Sequence, residues 1–184
     1  LAKAKQHITK KGLILLMEGY IDVILAHQYG FNHSVACMGT SLTDDQIKAM
    51  KEINNDLKSK QRMFRLLQGD VGSGKTIIAL VAALNVIKSG FQVALMVPTE
   101  ILAKQHYNFA SDLFGKDISI ELLTGKTEYK QKKSTLENIK QNKIKLIIGT
   151  HALFQKKVDY KNLGLIIIDE QHKFGVNQRK KLSD

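Results

Sequence analysis

The sequence predicts an α/β fold built around a parallel sheet, and two patterns carry that prediction. Short runs rich in leucine and β-branched residues alternate with amphipathic stretches along the 184 residues, as in successive β-α-β units. The run 163–168 is apolar throughout, which is typical of a parallel strand buried on both faces. Predicted strands are 13–17, 34–37, 64–68, 92–97, 119–123, 146–149 and 165–169, and predicted helices are 20–28, 44–58, 75–89, 100–114 and 126–141.

Residues that start and stop helices support these boundaries. Thr43 precedes the helix 44–58 as an N-cap, and Gln46 stands three residues further on, where it closes a capping box. Gly30 and Gly90 stand where helix C-caps are expected.

Composition restricts the class of protein. Hydrophobic residues make up 43% and charged residues 24% of the chain, which excludes a disordered or fibrous protein. The length allows one compact domain and an appendage. No apolar run reaches the roughly 18 residues that cross a membrane, and the single cysteine, Cys37, forms no internal disulfide. We therefore expect a cytoplasmic protein, and because the chain starts at Leu1 without methionine, a piece of a longer one.

The charge of the chain is strongly positive and unevenly distributed. The net charge is +11, and residues 61–184 carry 20 basic and 11 acidic groups. Such an excess is typical of proteins with a polyanionic partner, nucleic acid above all. The alternative is a basic surface that only faces solvent.

A glycine-rich stretch between a predicted strand and a predicted helix matches the phosphate-loop pattern G-x-x-x-x-G-K-[ST]. It reads Gly69, Asp70, Val71, Gly72, Ser73, Gly74, Lys75, Thr76. Glycines let backbone N–H groups turn toward one point, and the helix N-terminus adds partial positive charge. Lys75 is then placed to neutralise the β- and γ-phosphates, and the Thr76 hydroxyl to hold Mg²⁺. A glycine-rich turn that binds nothing is the alternative, which the flanking strand and helix disfavour.

An acidic pair, Asp169 and Glu170, follows the apolar run 163–168. Ligands of open α/β sheets bind at the carboxyl ends of the strands. We expect Asp169 to hold Mg²⁺ through water, and Glu170 to orient and deprotonate the water that attacks the γ-phosphate.

Polar or small residues also follow other predicted strands: Thr99, Thr124, Gly125, Thr150 and His151. Hydroxyls and backbone N–H groups at such positions can bind phosphates of a nucleic acid. Each position taken alone also fits an ordinary turn.

Four stretches together resemble the first motor lobe of RecG-type ATP-dependent DNA helicases of superfamily 2, from about residue 42 to the end. They are residues 66–76, 97–103, 149–153 and 169–176, with Leu123, Thr124 and Gly125 as a further match and the Gly-Val-x-Gln-Arg that ends at Arg179. The transcription-repair coupling factors share much of this pattern. The resemblance implies a RecA-like P-loop NTPase domain over residues 44–184, incomplete at its C-terminus.

The resemblance also implies cofactors, partners and residue roles. ATP and Mg²⁺ are the expected cofactors, and the expected partners are DNA, branched or at single-strand/duplex junctions, and a second helicase lobe that supplies the arginines of the transition state. Lys75, Glu170, Gln171 and His172 are expected to be catalytic, and Gln171 and His172 are also expected to link the γ-phosphate to the DNA-facing motifs. The expected DNA contacts are Pro98, Thr99, Glu100, Thr124, Gly125, Thr150 and His151.

Gln46 has two interpretations. It resembles the upstream glutamine that reads adenine in these helicases, and it equally fits the capping box with Thr43.

The N-terminal part does not fit the helicase pattern. Residues 13–24, 28–30 and 35–43 resemble the TOPRIM domain of bacterial DnaG-type primases, which predicts a partial βαβ appendage over residues 1–43. A fusion, a rearrangement and an artefact of sequence assembly all remain open. No Asp-x-Asp accompanies Glu18, and one carboxylate holds a hard cation poorly. Glu18 and Asp22 are better explained as charges at a helix N-terminus, so primer synthesis is not predicted.

Three functions therefore compete. The leading hypothesis is the ATP- and DNA-binding lobe of a helicase, with little activity alone. The alternatives are a primase-related nucleic-acid module and a non-catalytic nucleotide-binding remnant.

Overall fold

The structure, a computed structural model, describes residues 10, 15–17, 24, 26–32, 34–36, 43–70, 73–155 and 157–173. Predictions that concern Cys37, Glu18 or Asp22 lie outside the described residues. The chain divides into two compact units, Leu1–Lys48 and Ala49–Asp184, and the predicted domain boundary between residues 43 and 44 stays a prediction. Within the described ranges, no helix is long and apolar enough to span a membrane.

The first unit contains two short parallel strands. Strand β1 (Leu15–Met17) pairs with β2 (Ser34–Ala36), with Leu15 opposite Ser34. Parallel neighbours require a crossover connection, and the described residues at 24 and 26–28 between them are helical. His27 Nε2 lies 3.1 Å from the Ser34 carbonyl oxygen, which joins this helical segment to β2. These features match the predicted βαβ arrangement.

Helix α1 (Asp44–Lys58) begins with the predicted capping box. The Thr43 N–H donates to Gln46 Oε1 at 3.0 Å, and the Gln46 N–H donates to Thr43 Oγ1 at 3.2 Å. The structural interpretation of Gln46 is therefore confirmed.

The second unit is a four-stranded parallel sheet with the order β4-β5-β3-β6. Its strands are β3 (Gln92–Met96), β4 (Ile120–Leu123), β5 (Leu146–Gly149) and β6 (Leu163–Ile168). Its helices are α2 (Lys75–Lys88), α3 (Glu100–Phe114) and α4 (Tyr129–Lys140). The predicted α/β class with a parallel sheet is confirmed.

Helices cover both faces of this sheet, and the alternation along β3 shows how. Val93 and Leu95 lie in an apolar cluster with residues of α2 and α3, whereas Ala94 and Met96 lie in a second cluster with Ile139 of α4. Side chains of a strand point alternately to opposite faces, and all of β3 is buried. Burial on both faces explains why the strands read as continuous apolar runs.

The predicted strand 64–68 is wrong. Residues 62–70 form no strand and are not part of the four-stranded sheet. Phe64 and Leu66 are 75% and 70% exposed, whereas Met63 and Leu67 pack against the core. Two apolar side chains of the segment thus pack against the core and two are exposed, and no strand ladder holds it.

Ion pairs hold this segment against α1. Arg65 Nη1 lies 2.6 Å from Glu52 Oε2, and Arg65 Nε lies 2.7 Å from Asp56 Oδ2. Side-chain contacts therefore replace the backbone hydrogen bonds that the prediction assumed.

Helix α4 begins at Tyr129 rather than at the predicted residue 126. The Thr124 N–H donates to Thr127 Oγ1 at 3.0 Å, and the Lys126 N–H donates to Thr124 Oγ1 at 3.3 Å. Local hydrogen bonds between threonine side chains and backbone thus compete with the first helical turn.

Candidate nucleotide-binding site

The carboxyl ends of the four strands lie in register along one edge of the sheet. Met96 pairs with both Gly149 and Ile168, and Leu123 pairs with Gly149. A Cβ at Gly149 would collide with the Leu123 carbonyl oxygen, so the close approach of β4 and β5 requires glycine here. The residues that follow each strand are therefore brought to a single edge, as the sequence predicted.

The phosphate loop owes its shape to residues close together in sequence. Gly74 has a φ of 79° immediately before α2, a left-handed conformation that glycine adopts without steric cost. The N-terminus of α2 then opens into the loop, where its unpaired N–H groups can bind an anion. Of the eight predicted loop residues, Val71 and Gly72 lie outside the described part of the chain.

Lys75 lies inside its own loop. Its Nζ donates to the carbonyl oxygens of Gly69 and Asp70, both at 2.6 Å, and lies 3.3 Å from Ser73 Oγ. The Lys75 ammonium therefore lies beside the described loop residues Gly69, Asp70 and Ser73. Phosphate oxygens can compete with these neutral acceptors, because charge-assisted hydrogen bonds are the stronger ones.

Asp169 is held by three hydrogen bonds. Its N–H donates to the Met96 carbonyl oxygen at 2.9 Å, which continues the ladder past the end of β6. Its Oδ1 accepts from the Glu170 N–H at 2.9 Å, and its Oδ2 lies 2.9 Å from His106 Nε2. The hydrogen bond from His106 lowers the pKa of Asp169, against the opposing effect of burial, and the charge of Lys75 contributes to the lowering. The phosphate loop and the acidic pair thus lie within electrostatic reach of each other.

His106 is the site residue that sequence reasoning missed. It lies on α3 between the fully buried Ala103 and Ala110, three residues after one and four before the other, so all three share the core-facing stripe. A polar side chain on the buried stripe of a helix is the signal that could have found it. Only the fold shows that its partner is 63 residues away.

Glu170 combines an unusual backbone conformation with a carboxylate oxygen that has an ion-pair partner but no hydrogen bond. Its φ is 49°, a left-handed conformation that is uncommon outside glycine. Its Oε2 is buried and has no hydrogen-bond partner within the described part of the chain. Lys173 Nζ lies 2.6 Å from this oxygen, which makes an ion pair whose direction falls outside hydrogen-bond geometry. Such a carboxylate oxygen can accept a hydrogen bond or a proton from a water molecule.

A short 3₁₀ turn, Gln171–Lys173, follows the acidic pair. The Lys173 N–H donates to the Glu170 carbonyl oxygen at 2.9 Å and closes the turn. The Gln171 side chain is exposed, and the His172 side chain lies outside what the structure describes. The predicted link from these two residues to the DNA-facing motifs stays a prediction.

A pocket of about 210 Å³ lies between Thr76, in the first turn of α2, and helix α3. It is lined by Thr76, Gln105, His106 and Phe109. Thr76, the predicted hydroxyl ligand of Mg²⁺, thus shares a pocket wall with the histidine that contacts Asp169. A hydroxyl, a carboxylate and water are oxygen ligands that suit Mg²⁺. The residues present therefore fit both the metal and the nucleotide.

The strand-end residues differ in exposure. Thr99, Gly125 and His151 are exposed, and Pro98 and Glu100 are half-buried. Thr124 and Thr150 are 7% and 3% exposed, so these two predicted contacts are almost fully buried. A phosphate bound there would be contacted mainly by neighbouring residues.

Two of the predicted DNA contacts also have structural roles. Thr99 Oγ1 accepts from the Leu102 N–H at 3.3 Å and caps the N-terminus of α3. Glu100 Oε2 lies 3.1 Å from Lys126 Nζ, which joins the start of α3 to the turn after β4. This ion pair holds the N-terminus of α3 next to the turn that follows β4.

The sequence of this chain is similar to those of known helicases. Residues 43–184 match the model of the DEAD/DEAH box helicase family, and residues 15–65 match a Toprim-like model. The chain is 57% identical over 143 residues to the ATP-dependent DNA helicase RecG of Aquifex aeolicus, covering 77% of this chain and 18% of the relative. It is 53% identical over 142 residues to RecG of Bacillus subtilis, covering 77% and 21%. The chain spans about a fifth of the length of these relatives.

A solved structure of RecG bound to a three-way DNA junction is similar as well. The match has a TM-score of 0.70 at 42% identity and covers 95% of this chain and 23% of that chain. The helicase model covers more than three quarters of the sequence, and the chain therefore belongs to the DEAD/DEAH box helicase family, with a motor lobe of the RecG type.

Proposed function

We propose that this chain is the ATP- and DNA-binding first motor lobe of a RecG-like DNA helicase that acts on branched DNA in recombination and repair. The observation that carries the proposal is the convergence of Lys75, Asp169 and the strand-end residues. Thr76, next to Lys75 in the sequence, lines a pocket with His106, which contacts Asp169. The strands before Asp169 and before the strand-end residues finish in register.

In this proposal, each residue does one part of the work. The loop N–H groups and Lys75 bind the β- and γ-phosphates, and Thr76 and Asp169 would hold the metal. Mg²⁺ bound there would supply positive charge that neutralises the phosphates. The Glu170 carboxylate accepts the proton of the attacking water.

We infer that the isolated lobe binds nucleotide far better than it hydrolyses it. In the helicases that the chain resembles, arginines from a second lobe complete the hydrolysis site. The loss of such an arginine commonly costs about 10³–10⁵ in rate. Weak turnover by the 184-residue chain is thus compatible with an intact nucleotide site.

Nucleotide binding is tested by replacing the loop lysine. Lys75→Ala should weaken the binding of a fluorescent ATP analogue about 10- to 100-fold, because it removes charge-assisted hydrogen bonds. Lys88→Ala is the matched control, since it removes an exposed lysine at the other end of the same helix. Equal affinities for the Lys75 and Lys88 variants would contradict the assignment of the loop.

DNA binding is tested by its salt dependence. The excess of 20 basic over 11 acidic groups in residues 61–184 should give weak binding with little sequence preference. Each phosphate neutralised should add about 0.9 to the log–log salt slope on duplex and about 0.7 on single strands. An affinity that is the same at low and moderate salt would show that the basic surface only faces solvent.

Two further roles are hypotheses. Gln46 as an adenine-reading residue rests on resemblance, and its Oε1 already accepts from the Thr43 N–H. The Toprim-like match at residues 15–65 favours a second candidate, a primase-related nucleic-acid module, for the N-terminal part. Finding a second motor lobe in the flanking coding sequence would favour the helicase over this alternative.

A further inference from the structure

The carboxylate of Asp169 has one hydrogen bond on each oxygen, from two different elements. Oδ1 is bonded by the adjoining residue, at the Glu170 N–H, and Oδ2 by His106 from helix α3. The His106 side chain is 11% exposed, against 39% for that of Asp169. A nearly buried ring thus contacts a carboxylate whose remaining surface is open to solvent.

We propose that His106 is a positioning residue that fixes the Asp169 carboxylate in the orientation in which it holds the metal. This inference rests on the proposed function, because the residue that His106 orients is the proposed metal ligand of the same site.

The rotational freedom of a carboxylate shows why one hydrogen bond is insufficient. The terminal torsion of an aspartate side chain has a broad distribution of angles. A single hydrogen bond at Oδ1 therefore leaves a wide range of orientations open to the carboxylate plane. A second bond at Oδ2, 2.9 Å from a ring held in the core-facing stripe of α3, fixes the plane. Hydrogen bonds of this kind to metal-binding carboxylates tune metal affinity by orienting the ligand.

The two bonds leave acceptor capacity where the metal is needed. An ionised carboxylate has about four lone-pair sites, and the protein uses one on each oxygen. The Asp169 side chain is 39% exposed, so part of the carboxylate is open to solvent. Water molecules of a hydrated cation can therefore bind Asp169 without breaking its contact with His106.

Helix α3 is a stable support for this ring. The Thr99 side chain caps its start, and Ala103 and Ala110 on either side of His106 are fully buried. A site carried on a packed helix is positioned more accurately than one on a loop.

The test measures how strongly Mg²⁺ improves nucleotide affinity, using the full 184-residue chain and no hydrolysis. A fluorescent ATP analogue is titrated in EDTA and over a range of Mg²⁺ concentrations against wild type, His106→Leu, His106→Gln and Asn108→Ala. Leucine fills the space without a donor, whereas the glutamine amide nitrogen can replace Nε2. Asn108 is exposed on the same helix and serves as the control.

We expect the Mg²⁺-dependent gain in affinity to fall about tenfold or more in His106→Leu, in line with the effect of such orienting groups. Affinity in EDTA should stay at the wild-type value, and His106→Gln should restore most of the gain. Melting temperatures verify folding, and if the leucine variant does not fold, His106→Asn, whose amide is too short to reach Oδ2, replaces it.

A wild-type Mg²⁺ dependence in folded His106→Leu would overturn the inference while leaving the proposed function intact. A glutamine variant as defective as the leucine variant would overturn it too, because the hydrogen bond would not be the cause. If the wild-type chain binds no nucleotide in either condition, the proposed function itself fails.

Discussion

Two segments lead into the candidate site, and they are held in different ways. Strand β6, which precedes Asp169, forms a parallel ladder with β3. Residues 62–70, which precede the phosphate loop, have no ladder, expose Phe64 and Leu66, and are tied to α1 through Arg65. One half of the site is thus placed by the sheet, and the other by side chains and local turns.

The difference shows which part of the site depends on the whole fold. Lys75 contacts carbonyl oxygens five and six residues before it, so the phosphate loop needs few distant partners. Asp169 depends on Met96 and His106, which belong to other elements. We therefore expect changes at the β6 end to have larger consequences than changes in the segment before the loop.

The largest effect is expected at Glu170. Glu170→Gln should retain nucleotide and Mg²⁺ binding but lower hydrolysis about 10²- to 10⁴-fold, because the amide keeps the shape and cannot accept the proton. The rate should be measured with the second lobe of a RecG-type enzyme supplied in the same chain, where DNA should stimulate it. Asp169→Asn is the matched comparison and should weaken the Mg²⁺ dependence of binding instead. Wild-type turnover in Glu170→Gln would remove the water-activating role.

The second largest effect, on the free energy of unfolding, is expected in strand β6. Leu165 is 9% exposed and lies in the apolar cluster that joins β3 to α2. Leu165→Ala should lower the free energy of unfolding by about 2–5 kcal/mol, as lost burial and a residual cavity add together. Denaturant titration measures this, with an unchanged slope as the sign that the folded state is preserved.

The smallest effect on the free energy of unfolding is expected for another leucine, Leu66, in the segment before the phosphate loop. Leu66 is 70% exposed, so Leu66→Ala should change the free energy of unfolding by no more than about 0.5 kcal/mol. If Leu66→Ala and Leu165→Ala were equally destabilising, the contrast between the two segments would be wrong, and residues 62–70 would have to be packed as a strand.

Individual residues show how far sequence reasoning reached. The capping box of Thr43 and Gln46 was predicted because both hydrogen bonds join residues three positions apart. The strand 64–68 was wrongly predicted because a short leucine-rich run indicates a strand but cannot show whether a neighbouring strand pairs with it. His106 was missed because its partner lies 63 residues away.

By itself, the sequence determined what short-range chemistry controls: the α/β class, the helix starts at residues 44, 75 and 100, and the phosphate loop around Gly74 and Lys75. Tertiary structure alone decided that Asp169 has a histidine at one oxygen, that Thr124 and Thr150 are buried, and that residues 62–70 remain without a ladder. The physical reason is the sequence separation between the residues that interact. Turns, caps and periodicity depend on residues a few positions apart, whereas burial and strand pairing depend on which distant segments the sheet brings together.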